Sequence, residues 1–288
     1  MDALNVSLLT DAVQALQNPA AFLVLFVALF LVGKWLNDLV TDHALNKELT
    51  EKDNPALAIS TAGYYLGIII VFIGAVIGPS TTLLWDVLLV GGYGLGGIVL
   101  LLLSRVINDR LILRGFSAQR ELIEDQNPGT GAVLFGSYVA SALIVAGSIQ
   151  GEGGGPHTAL VFYALGQVAL IVFTWLYDWM APYSLLDQIE QDNTAAGVGF
   201  GGALIAIGII VMRAVSGDFV GWAADLQYLG WNVLLVFVYL VVVRLFFDRV
   251  LIPNSDLSVE ITRDRNVGAG LLEGAVSIGF AAVLFFVL

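Results

Sequence analysis

The chain has 288 residues, 58 % of them hydrophobic, a mean hydropathy of +0.87 and a formal net charge of −12. It has no cysteine, which excludes disulfides, thiol catalysis and thiolate metal sites. The acidic, lysine-poor balance disfavours nucleic acid and anionic lipid as partners, since both would be repelled, and it suits concentrated salt; a halophilic archaeal source is the expectation from composition.

In residues 1–18, Leu4, Leu8, Leu9, Val13 and Leu16 recur at helical spacing, the pattern of an interfacial helix. Eight apolar runs follow, near 19–40, 56–78, 82–107, 129–149, 157–177, 194–214, 227–247 and 267–288. Each is long enough to cross a hydrocarbon core of roughly 30 Å as a helix. No basic stretch precedes the first run, so it reads as a retained helix and not a cleaved signal. Trp35, Trp85, Trp175, Trp179, Trp222 and Trp231 stand near the run ends as interfacial anchors. The expected fold is an all-α membrane protein of eight transmembrane helices, with 19–150 as its first half and 151–288 as its second.

Every Lys and Arg except Arg213 falls on or beside the connections between runs 1–2, 3–4, 5–6 and 7–8, although the third of these carries none. The positive-inside rule places these connections in the cytoplasm and both termini outside a cell membrane crossed several times.

One asparagine recurs where each of these connections re-enters the membrane: Asn54, Asn127, Asn193 and Asn266. The spacing of about seventy residues marks a chain built by duplication. Six residues before each asparagine stands an acid: Glu48, Glu121, Asp187 and Glu260. Small residues follow at the fourth place (Ala58, Gly131, Gly197, Gly270) and at the ninth (Gly63, Gly136, Gly202, Ala275). A unit of two crossings re-enters in its predecessor's orientation, so four parallel helical hairpins are expected, in two similar halves.

The asparagines suit helix N-caps, two of them with proline at the first helical position. Gly63/Gly67, Gly92/Gly96, Gly197/Gly201 and Gly270/Gly274 have the spacing that lets helix backbones approach closely. Asp38, Asp109, Asp178 and Asp248 close the odd-numbered runs, where the helix dipole mildly disfavours an acid. Lys34, Arg105 and Arg244 precede three of them by one turn and offset part of that cost, while Thr174 leaves Asp178 to find a partner elsewhere. These aspartates read either as interfacial ion pairs or, with the four loop acids, as carboxylates around one axis. Such a ring selects cations, and an all-oxygen site also holds calcium or magnesium; no metal is assigned. Glu273, seven residues into the last run, replaces Thr61, Leu134 and Phe200 of the other units. An ionisable group at that depth is a functional candidate, with Arg263, Arg265 or Arg244 as expected partners.

The acid-loop-Asn-x-x-x-small motif with its Gly-rich helix, plainest in Glu48 to Gly67 (ELTEKDNPALAISTAGYYLG), resembles the YjfL-like family of inner-membrane proteins of unknown function. The resemblance runs from Leu23 onward and implies two fused members, a polytopic and oligomeric membrane protein, and no established chemistry.

The leading expectation is a conduit or transporter for small cations or protons, with Glu273 coupling. The alternative is a non-transporting oligomeric scaffold of the envelope that docks a cytoplasmic partner through its acidic loops. No hydrolase constellation or phosphate loop is present, so the chain reads as non-enzymatic and free of cofactors.

Overall fold

The computed structural model describes residues 3–41, 45–78, 80–246 and 257–287, with side chains from Asn18 onward except at 240, 244 and 245. Asp248 and the side chain of Arg244 lie outside the described residues.

All regular structure in them is helical. The long helices are α1 (Ala3–Leu39), α3 (Pro55–Val76), α4 (Leu83–Leu111), α6 (Pro128–Ile149), α7 (Pro156–Met180), α9 (Thr194–Val215), α10 (Trp222–Phe246) and α12 (Val267–Val287). Between them lie four short ones, α2 (Leu45–Thr50), α5 (Ala118–Ile123), α8 (Leu185–Glu190) and α11 (Leu257–Thr262). The eight long helices are long and apolar enough to cross a membrane. Here α1 continues through Pro19, and its apolar span is Asn18–Leu39.

α10 starts ahead of its apolar run and α4 at the start of its own, each with an acid in its first turn. In α10, Asp225 folds back to accept from the Val220 and Gly221 N–H groups at 3.2 and 3.1 Å. At the start of α4, Asp86 accepts from the Thr81 N–H at 2.9 Å and from the Ser80 hydroxyl at 2.6 Å. An acid in the first turn satisfies loop donors and complements the positive end of the helix dipole.

The helices that follow the asparagines form the centre. In chain order, α3 packs on α6, α6 on α9 and α9 on α12, while α3 and α12 are not a packed pair. The arrangement is an open row. α4 rests on both α3 and α6, α7 on α6 and α9, and α10 on α9 and α12, whereas α1 rests on α3 and α4.

Glycine sets the spacing of the row. A Cβ at Gly131 would strike the Ala56 backbone, at Gly197 that of Gly129, and at Gly270 that of Ala195. Further along, Gly63 lies against the Phe135 backbone, Gly136 against Gly201, and Gly202 against Gly274. These four central helices therefore run parallel, with their N-termini level. Lipid is as apolar as the helix surfaces, so the row is held by close van der Waals packing and buried hydrogen bonds. Gly92 and Gly96 differ, since a Cβ at either would meet nothing; their spacing does not mark a helix contact within the chain.

Candidate functional site

Each short helix leads into the next long one through the same turn. The residue before each asparagine (Asp53, Gln126, Asp192, Arg265) is in the left-handed region, with φ of 49, 50, 60 and 48°. That bend returns the asparagine N–H to a short-helix carbonyl: Asn54 to Glu48, Asn127 to Glu121, Asn193 to Gln188 and Asn266 to Glu260, at 2.9–3.1 Å. The side-chain oxygens then cap the following helices. Asn54 accepts from Leu57 N–H, Asn127 from Gly129 and Thr130, Asn193 from Ala196, and Asn266 from Ala269.

The side-chain amides make a connection that the sequence pattern does not disclose. Asn54 Nδ2 donates to the Leu122 carbonyl at 2.7 Å, Asn127 Nδ2 to Ile189 at 2.6 Å, and Asn193 Nδ2 to Ile261 at 2.8 Å. Each asparagine thus ties its own turn to the short helix of the next unit. The first three are 0–1 % exposed; Asn266, at the end of the row, is exposed and gives its amide to its own Glu260 at 2.9 Å.

The loop acids recur unit by unit along the row. Glu48 Oε1 takes Lys52 Nζ at 2.7 Å, and Glu121 Oε2 takes Asn127 Nδ2 at 2.8 Å. Burial pushes the Glu121 carboxyl above its ordinary pKa, and the Asn127 bond offsets part of that rise. The third position is corrected by the structure. Gln188, not the exposed Asp187, stands where Glu121 and Glu260 stand, with Oε1 accepting from Asn193 Nδ2 at 2.7 Å. The third turn is one residue shorter, so counting back from the asparagine lands one position too early.

The helix-end aspartates are not equivalent. Asp38 pairs with Lys34 at 2.8 Å on an exposed face. Asp178, which has threonine one turn earlier, instead meets Arg114 from the connection after α4 in the second unit at 3.1 Å, and that guanidinium also lies over Trp175. Arg105 turns away from Asp109 towards Asn37 Oδ1 at 3.1 Å and Thr41 Oγ1 at 3.2 Å. Asp109 Oδ1 is buried without a hydrogen-bond partner.

Asp109 and Arg105 line a cavity of about 90 Å³ with Asn37, Ser60, Tyr64 and Tyr138, beside the short helices. Polar groups continue inward between α4, α6 and α7. Asn108 Nδ2 donates to Ser137 and Ser141 Oγ, both at 2.8 Å, and Ser104 Oγ lies 2.9 Å from the Tyr163 hydroxyl. One turn from Tyr163 on α7, Gln167 is buried, and neither of its amide atoms has a partner. Phe162, the neighbour of Tyr163, lines a pocket of about 430 Å³ at the opposite end of the helices, with Tyr93, Arg213, Asp218, Asp225 and Tyr228. Of the polar groups in this file the sequence pointed to Asp109 and its neighbour Arg105; nothing in it marked Asn108, Ser104, Tyr163 or Gln167. They form one-turn pairs on two helices, Ser104 with Asn108 on α4 and Tyr163 with Gln167 on α7, and only packing brings the two pairs together.

Glu273 is 5 % exposed within α12, and the Tyr177 hydroxyl donates to its Oε1 at 2.7 Å. One partner of Glu273 therefore comes from α7, while Arg263 pairs with Asp264 at 2.8 Å. A Cβ at Gly199 would run into Oε2, so glycine there makes room for the carboxylate. Seventh after its asparagine, Glu273 corresponds to Leu134, which lines the cavity beside Asp109. Each half of the chain thus has a buried carboxylate behind its short helices.

Comparison with known proteins places these features in a family. The chain is 25 % identical over 275 residues to a UPF0719 transmembrane protein of Aquifex aeolicus (strain VF5), spanning 91 % of this chain and 98 % of that one. It is 24 % identical over 123 residues to the UPF0719 transmembrane protein YshE of Bacillus subtilis (strain 168), covering 43 % of this chain and 87 % of YshE. No solved structure matches. The Domain of Unknown Function DUF350 matches twice, over residues 10–149 and 153–288, and the chain belongs to that family.

Proposed function

We propose that the chain is a conduit or carrier for protons or small cations in the cell membrane, with Asp109 and Glu273 as its coupling carboxyls. The observation that carries this reading is the file of buried polar groups from Asp109 through Asn108, Ser137 and Ser141 to Ser104 and Tyr163. Such groups are costly in a membrane interior and mark ion or proton paths. A buried amide without partners, at Gln167, is a place where water completes the file. The positive-inside pattern orients the short helices and the Asp109 cavity to the cytoplasm, with both termini outside. The reading assigns no catalytic role and no cofactor. The YshE match, most of that protein against under half of this chain, supports two fused members of a YjfL-like kind.

Cutting the file tests the reading. Asp109→Asn and Tyr163→Phe are expected to lower flux into proteoliposomes at least tenfold with the protein still folded. Unchanged flux in both would remove the file from the path.

The scaffold reading is favoured by a different observation, the glycine-packed row, which spends its interior on backbone contact. A scaffold supplies no reason for the partnerless Gln167 or for Glu273, so it stands second.

A further inference from the structure

The row ends on two faces that repeat its internal contact. At each of its three interfaces the leading helix offers the second and ninth residues after its asparagine: Ala56 and Gly63, Gly129 and Gly136, Ala195 and Gly202. The trailing helix answers with the fourth and eighth: Gly131 and Phe135, Gly197 and Gly201, Gly270 and Gly274. On α12 the leading positions are Gly268 and Ala275, followed by Gly279 where α3 has Gly67, and all three are exposed. A Cβ at Gly279 would meet nothing. On α3 the trailing positions are Ala58 and Ala62, both exposed. Large residues such as Leu23, Val24, Leu84 and Trp179 cover other exposed faces, with exposed glycines also at Gly92 and Gly96 on α4 and Gly230 on α10.

A polar group marks the same break. Asn266 alone of the four asparagines is exposed, and its amide reaches no other unit. Its three counterparts donate to Leu122, Ile189 and Ile261, which correspond to Leu49 on α2. The flanking helices agree, since α4, α7 and α10 each rest on two central helices and α1 on α3 alone.

We infer that the α12 end of one copy docks on the α3 end of a second copy, continuing the row. Gly268 and Ala275 then face Ala58 and Ala62 of the next chain, and the Asn266 amide reaches its Leu49 carbonyl. α1 of the incoming copy settles over α12 as α4 settles over α3. The two faces differ, so the contact is head-to-tail and propagates, giving a ring where the rotation closes and a filament where it does not. The inference stands whether or not the chain conducts ions.

The absence of cysteine makes crosslinking direct. In native membranes under mild oxidation, a chain carrying both Ala58→Cys and Gly268→Cys is expected to give a ladder of multimers. The two single variants co-expressed should stop at a dimer, and each alone should remain monomeric. Ala275→Phe in the double-cysteine chain, at an exposed position, should collapse the ladder while leaving the yield of folded monomer unchanged. A double variant that stays monomeric overturns the inference. So does crosslinking by either single variant alone, which would mean a symmetric contact, and so does a ladder that survives Ala275→Phe.

Discussion

The side-chain amide of Asn127 donates to the main-chain carbonyl of Ile189, 2.6 Å away and 62 residues on in the chain. Its Oδ1 simultaneously holds the Gly129 and Thr130 N–H groups at the start of α6. One residue therefore ends a turn, begins a helix and fixes the next unit against it. Asn127→Ala is expected to cost roughly 2–4 kcal/mol, about 1 from the lost cap and the rest from the stranded carbonyl. Asn266→Ala, at the open end, should cost under about 1 kcal/mol. Thermal unfolding in detergent separates them, and equal shifts in Tm would refute the relay.

Glu121 gives a dependence on pH. Burial raises its pKa, so the folded state favours the protonated acid more than the unfolded chain does. That stabilisation is fully present below the unfolded value of about 4.3 and is lost as pH rises through the folded value. Glu121→Gln should abolish this fall and keep the bond to Asn127, because Gln188 already makes it in the third unit. The comparison is unfolding free energy of wild type and variant across that window; parallel curves would contradict the assignment.

The row depends on glycine where backbones touch and not elsewhere. Gly197→Ala drives a methyl into the Gly129 backbone and should lose more than about 2 kcal/mol or fail to fold. Gly96→Ala, with open space around it, should be neutral or slightly stabilising. Yield and Tm of the purified variants decide between these outcomes.

Arg114 and Asp178 join the second unit to the third at the surface, with side chains 48 % and 21 % exposed. A pair so open to solvent is worth about 0.2–1 kcal/mol, so Arg114→Ala should shift Tm only slightly, and less in high salt. A large loss would mean that the pair, or the Trp175 contact beneath it, carries structural weight.

The eight spans were legible because each apolar run is long and bounded by charge. Their edges moved where a charged residue belongs to the helix: Asp225 sits inside α10, and Asp109 and Arg110 inside α4. The asparagines and small residues were legible as a pattern, but their consequence was not. Reading a cap from Asn54 needs only its neighbours, whereas its bond to Leu122 needs the row. Asp187 was chosen over Gln188 because it is an acid at the same six-residue offset as Glu48, Glu121 and Glu260; the third turn is one residue shorter, and only the hydrogen bond identifies Gln188 as the equivalent residue. Tyr177 as a partner of Glu273 was likewise hidden, since a tyrosine near a helix end reads as an interfacial anchor.

The most direct measurement is ion flux into proteoliposomes under imposed proton, sodium, potassium and calcium gradients at two pH values, for wild type and Glu273→Gln. The account expects wild-type flux above protein-free vesicles, abolished or made independent of pH by the substitution. Well-folded wild-type protein that passes none of these ions would contradict it and leave the row as a scaffold.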